Sequence, residues 1–209
     1  MPDEPDKPFA LSRRGILFFL SAPSGAGKTT LSARLLQQVQ NLSLSISYTT
    51  RQPRAGEVHG REYHFVSEDE FLRLQKQNAF AEWAQVHDCF YGTARAPLEA
   101  ALAHGSDLLL DIDVQGVKQL KPQYPTASVA IFLLPPSWYE LERRLRGRGT
   151  DTEERIAHRL RRARDEAREL SVYDYWIVND QIERATATLH AIVVAERARV
   201  ARLQERTVA

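Results

Sequence analysis

Cysteine is almost missing from this chain: Cys89 stands alone among 209 residues. A single thiol closes no internal disulfide, so a secreted scaffold held by bridges is excluded and a reducing cytosol is the expected home. Charge of one sign is missing too. The 28 Lys and Arg face 27 Asp and Glu, a net of +1, which gives no overall attraction to nucleic acid or acidic membranes. No apolar run approaches the roughly 18 residues of a membrane span. The stretch behind the twin arginines Arg13-Arg14, Ile16 to Leu20, is only five residues long, too short for the core of an export signal. Lysine is scarce, 5 against 23 arginines. Arginine's planar fork suits bidentate phosphate recognition, although an arginine-rich genome would leave the same split.

What is present fits one globular domain: 43% of positions are hydrophobic and 26% charged. A chain this long buries roughly 70% of its unfolded surface and needs no staples. Residues 1–14 are expected to form a disordered tail, because Pro2, Pro5, Pro8 and four charges crowd the first eight positions. Behind it, apolar runs at Ile16 to Leu20, Leu42 to Tyr48, Asp107 to Ile112, Ser128 to Leu134 and Tyr175 to Val178 read as strands. Most are continuously apolar, as strands covered on both faces must be. Helical patterns at Lys28 to Val39, after the capping box Ser137 to Glu140, at Glu153 to Leu170 and at Ile182 to Gln204 alternate with them. The expectation is an α/β three-layer domain built on a parallel sheet.

Residues 49–95 break that rhythm with Pro53, Gly56, Gly60, a capped helix at Ser67-Glu68-Asp69-Glu70 and a turn expected at Gly92. They read as an inserted α+β lobe, leaving 15–48 and 96–209 as the core. Gly147-Arg148-Gly149 suggests a short hinged lid over about 147–158.

The strongest motif is Ala22-Pro23-Ser24-Gly25-Ala26-Gly27-Lys28-Thr29, between a predicted strand and a predicted helix. It matches G-x-x-x-x-G-K-[ST] except for Ala22 in place of the first glycine. Gly25 and Gly27 let backbone N–H groups turn inward around a phosphate, Lys28 reaches the β and γ oxygens, and the Thr29 hydroxyl can coordinate Mg²⁺. A nucleoside triphosphate is the implied ligand. Asp113-Val114-Gln115-Gly116 fits the D-x-x-G of a GTPase switch, but no N-K-x-D accompanies it. Asp111 and Asp113 end a buried strand, where a carboxylate can hold Mg²⁺ through water, meet a substrate, or simply close a turn.

A second cluster runs from Ser47 through Arg51-Gln52-Pro53-Arg54-Ala55-Gly56-Glu57 to Tyr63. Two guanidinium forks and a phenol can satisfy a phosphate monoester dianion. Glu82, Tyr91 and Thr93 share the lobe. Guanine offers N1–H and an exocyclic amine side by side, two donors for one carboxylate, whereas adenine's N1 is an acceptor and would be repelled.

From the phosphate loop to Val178-Asn179-Asp180, these blocks in this order resemble the guanylate kinase family. The most diagnostic are Thr49 to Glu57 with Tyr63-His64-Phe65, Tyr91-Gly92-Thr93, Leu110 to Gly116, and Gly147-Arg148-Gly149. The resemblance implies transfer of the ATP γ-phosphate to GMP, with dGMP as a further substrate, in guanine nucleotide recycling and synthesis. It implies that Arg51, Arg54, Tyr63 and Tyr91, with Glu57 and Gly92 in the same site, hold the GMP phosphate. Ser47, Glu82, Thr93 and Asp113 would read guanine. Arg144, Arg148 and Arg159 would converge with Lys28 on the transferring phosphate, residues 22–29 would cradle ATP, and Asn179 would lie toward its base. His87-Asp88-Cys89-Phe90 departs from the family's usual Gly-Asn-Tyr before Tyr91-Gly92.

Two rival readings are a kinase for another nucleoside monophosphate and a catalytically dead, peptide-binding relative. The first would not place Glu82 with Ser47 and Thr93; the second would have lost Lys28, Arg51, Arg54 or Arg148. His59, His64, His87 and Cys89 lack zinc-site spacing. Trp83, Trp138 and Trp176 read as core, and the arginines of residues 155–168, Arg159 apart, as a solvated face paired with its own carboxylates.

Overall fold

A computed structural model describes residues 12–86, 88–147 and 151–204. Its elements in chain order are β1 (Ser12–Arg13), β2 (Leu17–Ser21), α1 (Lys28–Gln38), β3 (Leu42–Leu44), β4 (Tyr48–Thr49), β5 (His64–Phe65), α2 (Glu68–Lys76), β6 (Phe80–Val86) and β7 (Cys89–Ala94). They continue with α3 (Arg95–Ala103), β8 (Asp107–Asp111), α4 (Val114–Leu120), β9 (Ser128–Leu134), α5 (Trp138–Arg146), α6 (Glu153–Arg168), β10 (Tyr175–Val178), α7 (Ile182–Arg197) and β11 (Leu203–Gln204).

Five strands form a parallel sheet in the order β10-β9-β2-β8-β3. β2 lies at its centre, and its side chains alternate between two apolar layers. Phe18 and Leu20 join Leu31 and Leu35 of α1 and Leu189 and Val193 of α7. Leu17 and Phe19 face Leu98 of α3 and Val117 and Leu120 of α4. Covering both faces is what requires an unbroken apolar run, so the expected three-layer α/β domain is the architecture found. Parallel strands also gather their carboxyl ends on one edge, where ligands bind in such sheets.

A second, four-stranded sheet in the order β5-β4-β7-β6 is built between Tyr48 and Ala94. Ser67 caps α2 by accepting from the Glu70 N–H at 3.2 Å. The helix then seats Phe71 against the rings of Phe80 and Phe90, with centroids 4.5 and 5.3 Å away.

Several expectations are corrected. The run Leu42 to Tyr48 is divided between the two sheets, and the last helix stops at Arg197 before a 3-10 turn and β11. Gly92 makes no turn; it lies within β7, where a Cβ would come within 3.0 Å of Phe80 and 3.1 Å of Phe71. The tryptophans are not core: Trp83, Trp138 and Trp176 are 39%, 38% and 64% exposed. β6 and β10 are edge strands and Trp138 opens a helix, so an apolar neighbourhood in sequence does not mean cover on both sides. Ordered structure also begins before Gly15, because Ser12 and Arg13 pair antiparallel with Gln204 and Leu203.

That pairing is reinforced by Asp107, the fully buried first residue of β8. Its carboxylate accepts from Arg13 at 2.7 and 2.9 Å, from Arg197 Nε at 2.7 Å and from the Ile16 N–H at 2.9 Å.

Candidate active site

The phosphate loop leaves the carboxyl end of β2 and enters α1. Gly25 and Gly27 take φ of +96° and +97°, the left-handed region that favours glycine. Gly27 is the residue before α1, so the free N–H groups of the first helical turn, with their partial positive charge, open toward the cleft. Lys28 forms an ion pair with Asp111, the last residue of β8. The loop and one face of α6 line a cavity of about 920 Å³ that includes Ser24, Lys28, Thr29, Asp111, Arg159 and Glu166.

Arg159 reaches across this cavity, donating to the Ser24 hydroxyl at 3.0 Å, with its Nε 3.4 Å from the Asp151 carboxylate. Arg155, His158 and Arg162 line the same space while remaining exposed, and Arg162 pairs with Glu166 at 3.7 Å. The signal was available: 155, 159, 162 and 166 recur at the three-to-four-residue spacing of one helix face. Burial pushes the Glu166 carboxyl up, opposed by Arg162 and Lys28 and reinforced by Asp113.

Arg144 does not line the cavity. Its Nε donates to Glu140 at 2.9 Å and its Nη2 to the Asn179 carbonyl at 3.3 Å, and hydrogen bonds from Arg143 and Arg144 hold Glu140 down to about 2. Asn179 is buried behind the loop, its amide donating to the Ala26 carbonyl at 2.7 Å. A Cβ on Gly27 would come within 2.4 Å of that amide. Arg148 and His87 lie outside the described residues.

The segment that builds the second sheet carries a further polar group. Arg51 donates to Glu57 at 2.9 Å, and Glu57 accepts the Arg54 N–H at 2.8 Å. The guanidinium of Arg51 lies over the rings of Tyr63 and Phe65 at 5.5 and 5.6 Å. Glu57 therefore holds the Arg51 guanidinium and the Arg54 backbone in one turn. Tyr63 packs edge-on against Tyr91 at 6.0 Å; burial raises its phenol, and the nearby Asp111 carboxylate raises it further.

Glu82 is 8% exposed and accepts from the Thr93 hydroxyl at 2.5 Å. Burial pushes its carboxyl up, Thr93 opposes this, and the neighbouring Asp113 charge adds to it. Asp113 caps α4, accepting the Gly116 N–H at 2.9 Å with Oδ1. The half-buried Ser47 precedes β4 and pairs through its carbonyl with the His64 N–H at 2.9 Å.

A parallel sheet with a phosphate loop at its carboxyl edge, interrupted by a lobe bearing arginines and tyrosines, is the P-loop kinase fold. Comparison narrows the class. The guanylate kinase family profile matches residues 14–196. Curated guanylate kinases are similar: that of Geobacter metallireducens is 52% identical over 93% of this chain and 96% of its own. That of Syntrophotalea carbinolica is 53% identical over 93% and 92%. A crystal structure of guanylate kinase from Anaplasma phagocytophilum superposes with a TM-score of 0.77 at 35% identity, covering 92% of both chains. The chain belongs to the guanylate kinase family.

Proposed function

We propose that this chain transfers the γ-phosphate of ATP to GMP, giving ADP and GDP, with the residues of the two facing clusters in distinct roles. The observation that carries the choice of acceptor is the buried Glu82–Thr93 pair, a carboxylate in the same segment of chain as the cluster of Arg51, Tyr63 and Tyr91. An ionised Glu82 accepts guanine's N1–H and amine together; adenine would leave it unpaired. Ser47 and Asp113 complete the base site. Arg51, Arg54, Tyr63 and Tyr91 hold the monophosphate, and dGMP fits the same contacts.

The attacking group is a phosphate oxygen that is already ionised, so the reaction needs no general base. The work is alignment and charge neutralisation. Residues 22–29 cradle ATP through backbone N–H groups. Lys28 exchanges Asp111 for the β and γ oxygens. Arg159, and Arg144 and Arg148 from the lid side, neutralise the phosphoryl group in flight. Closure of the lobe at 49–95 and of the lid keeps water from competing, and small-angle scattering should show compaction with GMP plus an ATP analogue.

The donor set suits Mg²⁺. Thr29 and Asp111 line the cavity beside Lys28, and among the described residues no group of three His, Cys, Asp or Glu could cage a metal unaided. Magnesium ordinarily rests on one or two protein ligands plus substrate phosphates. When bound, it would offset phosphate charge, and Thr29 and Asp111 are the residues that would hold it, Asp111 through water. Among the described residues no helix is long and apolar enough to cross a membrane, and the cytoplasm is the proposed location.

An ADP-release assay with ATP·Mg²⁺ and GMP, dGMP, AMP, UMP or CMP tests the reading. Turnover confined to guanine nucleotides is expected, and equal turnover with AMP would overturn it. Lys28→Ala should lose about 10³-fold in kcat, as when other phosphate-stabilising cations are removed.

A further inference from the structure

β6 is an outer strand of the inserted sheet, with β7 on one side only. Such an edge leaves backbone groups without strand partners and its side chains loosely placed. Here the missing neighbour is replaced by side chains. Gln119 of α4 accepts the Trp83 N–H at 3.4 Å with its carbonyl oxygen and donates to the Trp83 carbonyl at 3.2 Å with its amide nitrogen. One side-chain amide thereby does what a facing backbone amide would do. Gln123, just beyond α4, donates to the Ala81 carbonyl at 2.8 Å. The register of β6 against β7 shifts between Phe80 and Glu82. An irregularity there re-aims the side chain that follows it, which is Glu82. Ala81 and Trp83, the two residues flanking Glu82, are therefore both tied to the main body of the chain. Behind the carboxylate sits Gly116 of α4, where a Cβ would come within 3.4 Å of Glu82 Oε2 and 3.2 Å of the Ile112 Cβ.

We propose that Gln119 is a positioning residue for base recognition: it fixes the backbone of β6 to α4, so that the Glu82 carboxylate, held within its own sheet by Thr93, is also anchored to the core. The inference rests on the reading of Glu82 as the guanine acceptor. Arg51 and Arg54 lie instead in the connection between β4 and β5, where Arg51 is held by Glu57 of the same connection, so base and phosphate recognition are mounted on different supports.

The test is steady-state kinetics on the full chain, varying GMP at saturating ATP·Mg²⁺. The variants are Gln119→Leu, the unbranched Gln119→Met, Glu82→Gln and Gln119→Leu/Glu82→Gln. Removing both amide hydrogen bonds should raise KM for GMP about 3- to 10-fold. KM for ATP should hold, and kcat should stay within about twofold. The double variant should be no worse for GMP than Glu82→Gln alone, because a residue acting through Glu82 has nothing left to position. Unchanged KM for GMP in both Gln119 variants overturns the proposal. So does a double variant whose defect is the product of the two single defects, since that is the mark of a general structural role. If Glu82→Gln itself leaves KM for GMP unchanged, the base-reading assignment fails first and the positioning role falls with it.

Discussion

Asp107→Asn isolates a fully buried electrostatic group outside the cleft. The native carboxylate is fully buried and accepts four hydrogen bonds, from Arg13 at 2.7 and 2.9 Å, Arg197 at 2.7 Å and the Ile16 N–H at 2.9 Å. Asparagine keeps one acceptor but turns the other oxygen into an amide donor facing a guanidinium. Breaking a buried ion pair from one side costs about 3–5 kcal/mol, most of it the charge left unpaired. The Arg13 and Arg197 side chains remain 20% and 24% exposed, so water recovers part of that charge. The lower figure, about 3 kcal/mol, is therefore expected. For a chain of this length each kcal/mol moves the melting temperature about 2–4 °C, which gives a fall of about 6–12 °C. Calorimetry and urea unfolding measure it. KM for GMP and ATP at 25 °C should not change, because Asp107 starts the strand that Asp111 ends. A loss below about 1 kcal/mol, the scale of an exposed surface pair, would refute the reasoning, as would a shift in either KM without a change in stability.

Gly27→Ala should strain a φ of +97° and drive a Cβ into the Asn179 amide. A loss of about 1–2 kcal/mol in stability and a raised KM for ATP are the expected outcomes, read by melting and kinetics. Glu82 must be ionised to accept from guanine, and its carboxyl is raised by burial. kcat/KM for GMP should therefore fall as pH drops, with an acid limb starting above the ordinary glutamate range. Glu82→Gln should retain only the limb of the GMP phosphate near pH 6; identical profiles would refute the assignment. The raised carboxyl also means that the native state holds its proton more tightly than the unfolded chain, so this group's contribution to stability grows as pH falls through its native value. Trp176→Ser should cost less than about 0.5 kcal/mol at a 64% exposed position. Phe19→Ala, fully buried at the centre of the sheet, should cost about 3–5 kcal/mol in the same unfolding assay.

The central strands were legible in sequence because a strand covered on both faces must be largely apolar, and β2 is so from Leu17 to Leu20. The same rule misled at the rims. Trp176 sits in an apolar string on an edge strand, and no local pattern says whether a neighbour will cover its outer side. The phosphate loop was legible because its chemistry depends on consecutive residues. The face of α6 was less so: Arg155, Arg162 and Glu166 repeat with Arg159 at helical spacing, but the neighbouring opposite charges accounted for all of them except Arg159, which the family resemblance singled out. Asn179 and Arg144 show a different limit. Their partners, Ala26 and Asn179, are distant in sequence, and only the packing of β10 against β9 and the loop decides that the Asn179 amide turns toward Ala26.

The ribbon of β1 and β11 has a mechanical consequence. Residues 12 and 204 lie side by side in an antiparallel pair, so a pull applied between them loads that two-rung ladder in the unzipping direction, one hydrogen bond at a time. The next element to bear the load is the Asp107 clasp, where three segments meet in one carboxylate. The phosphate loop sits at the opposite edge of the sheet and carries none of the tension until the clasp gives way. An enzyme tethered by both ends in an optical trap would keep turning over up to that force and lose activity abruptly beyond it.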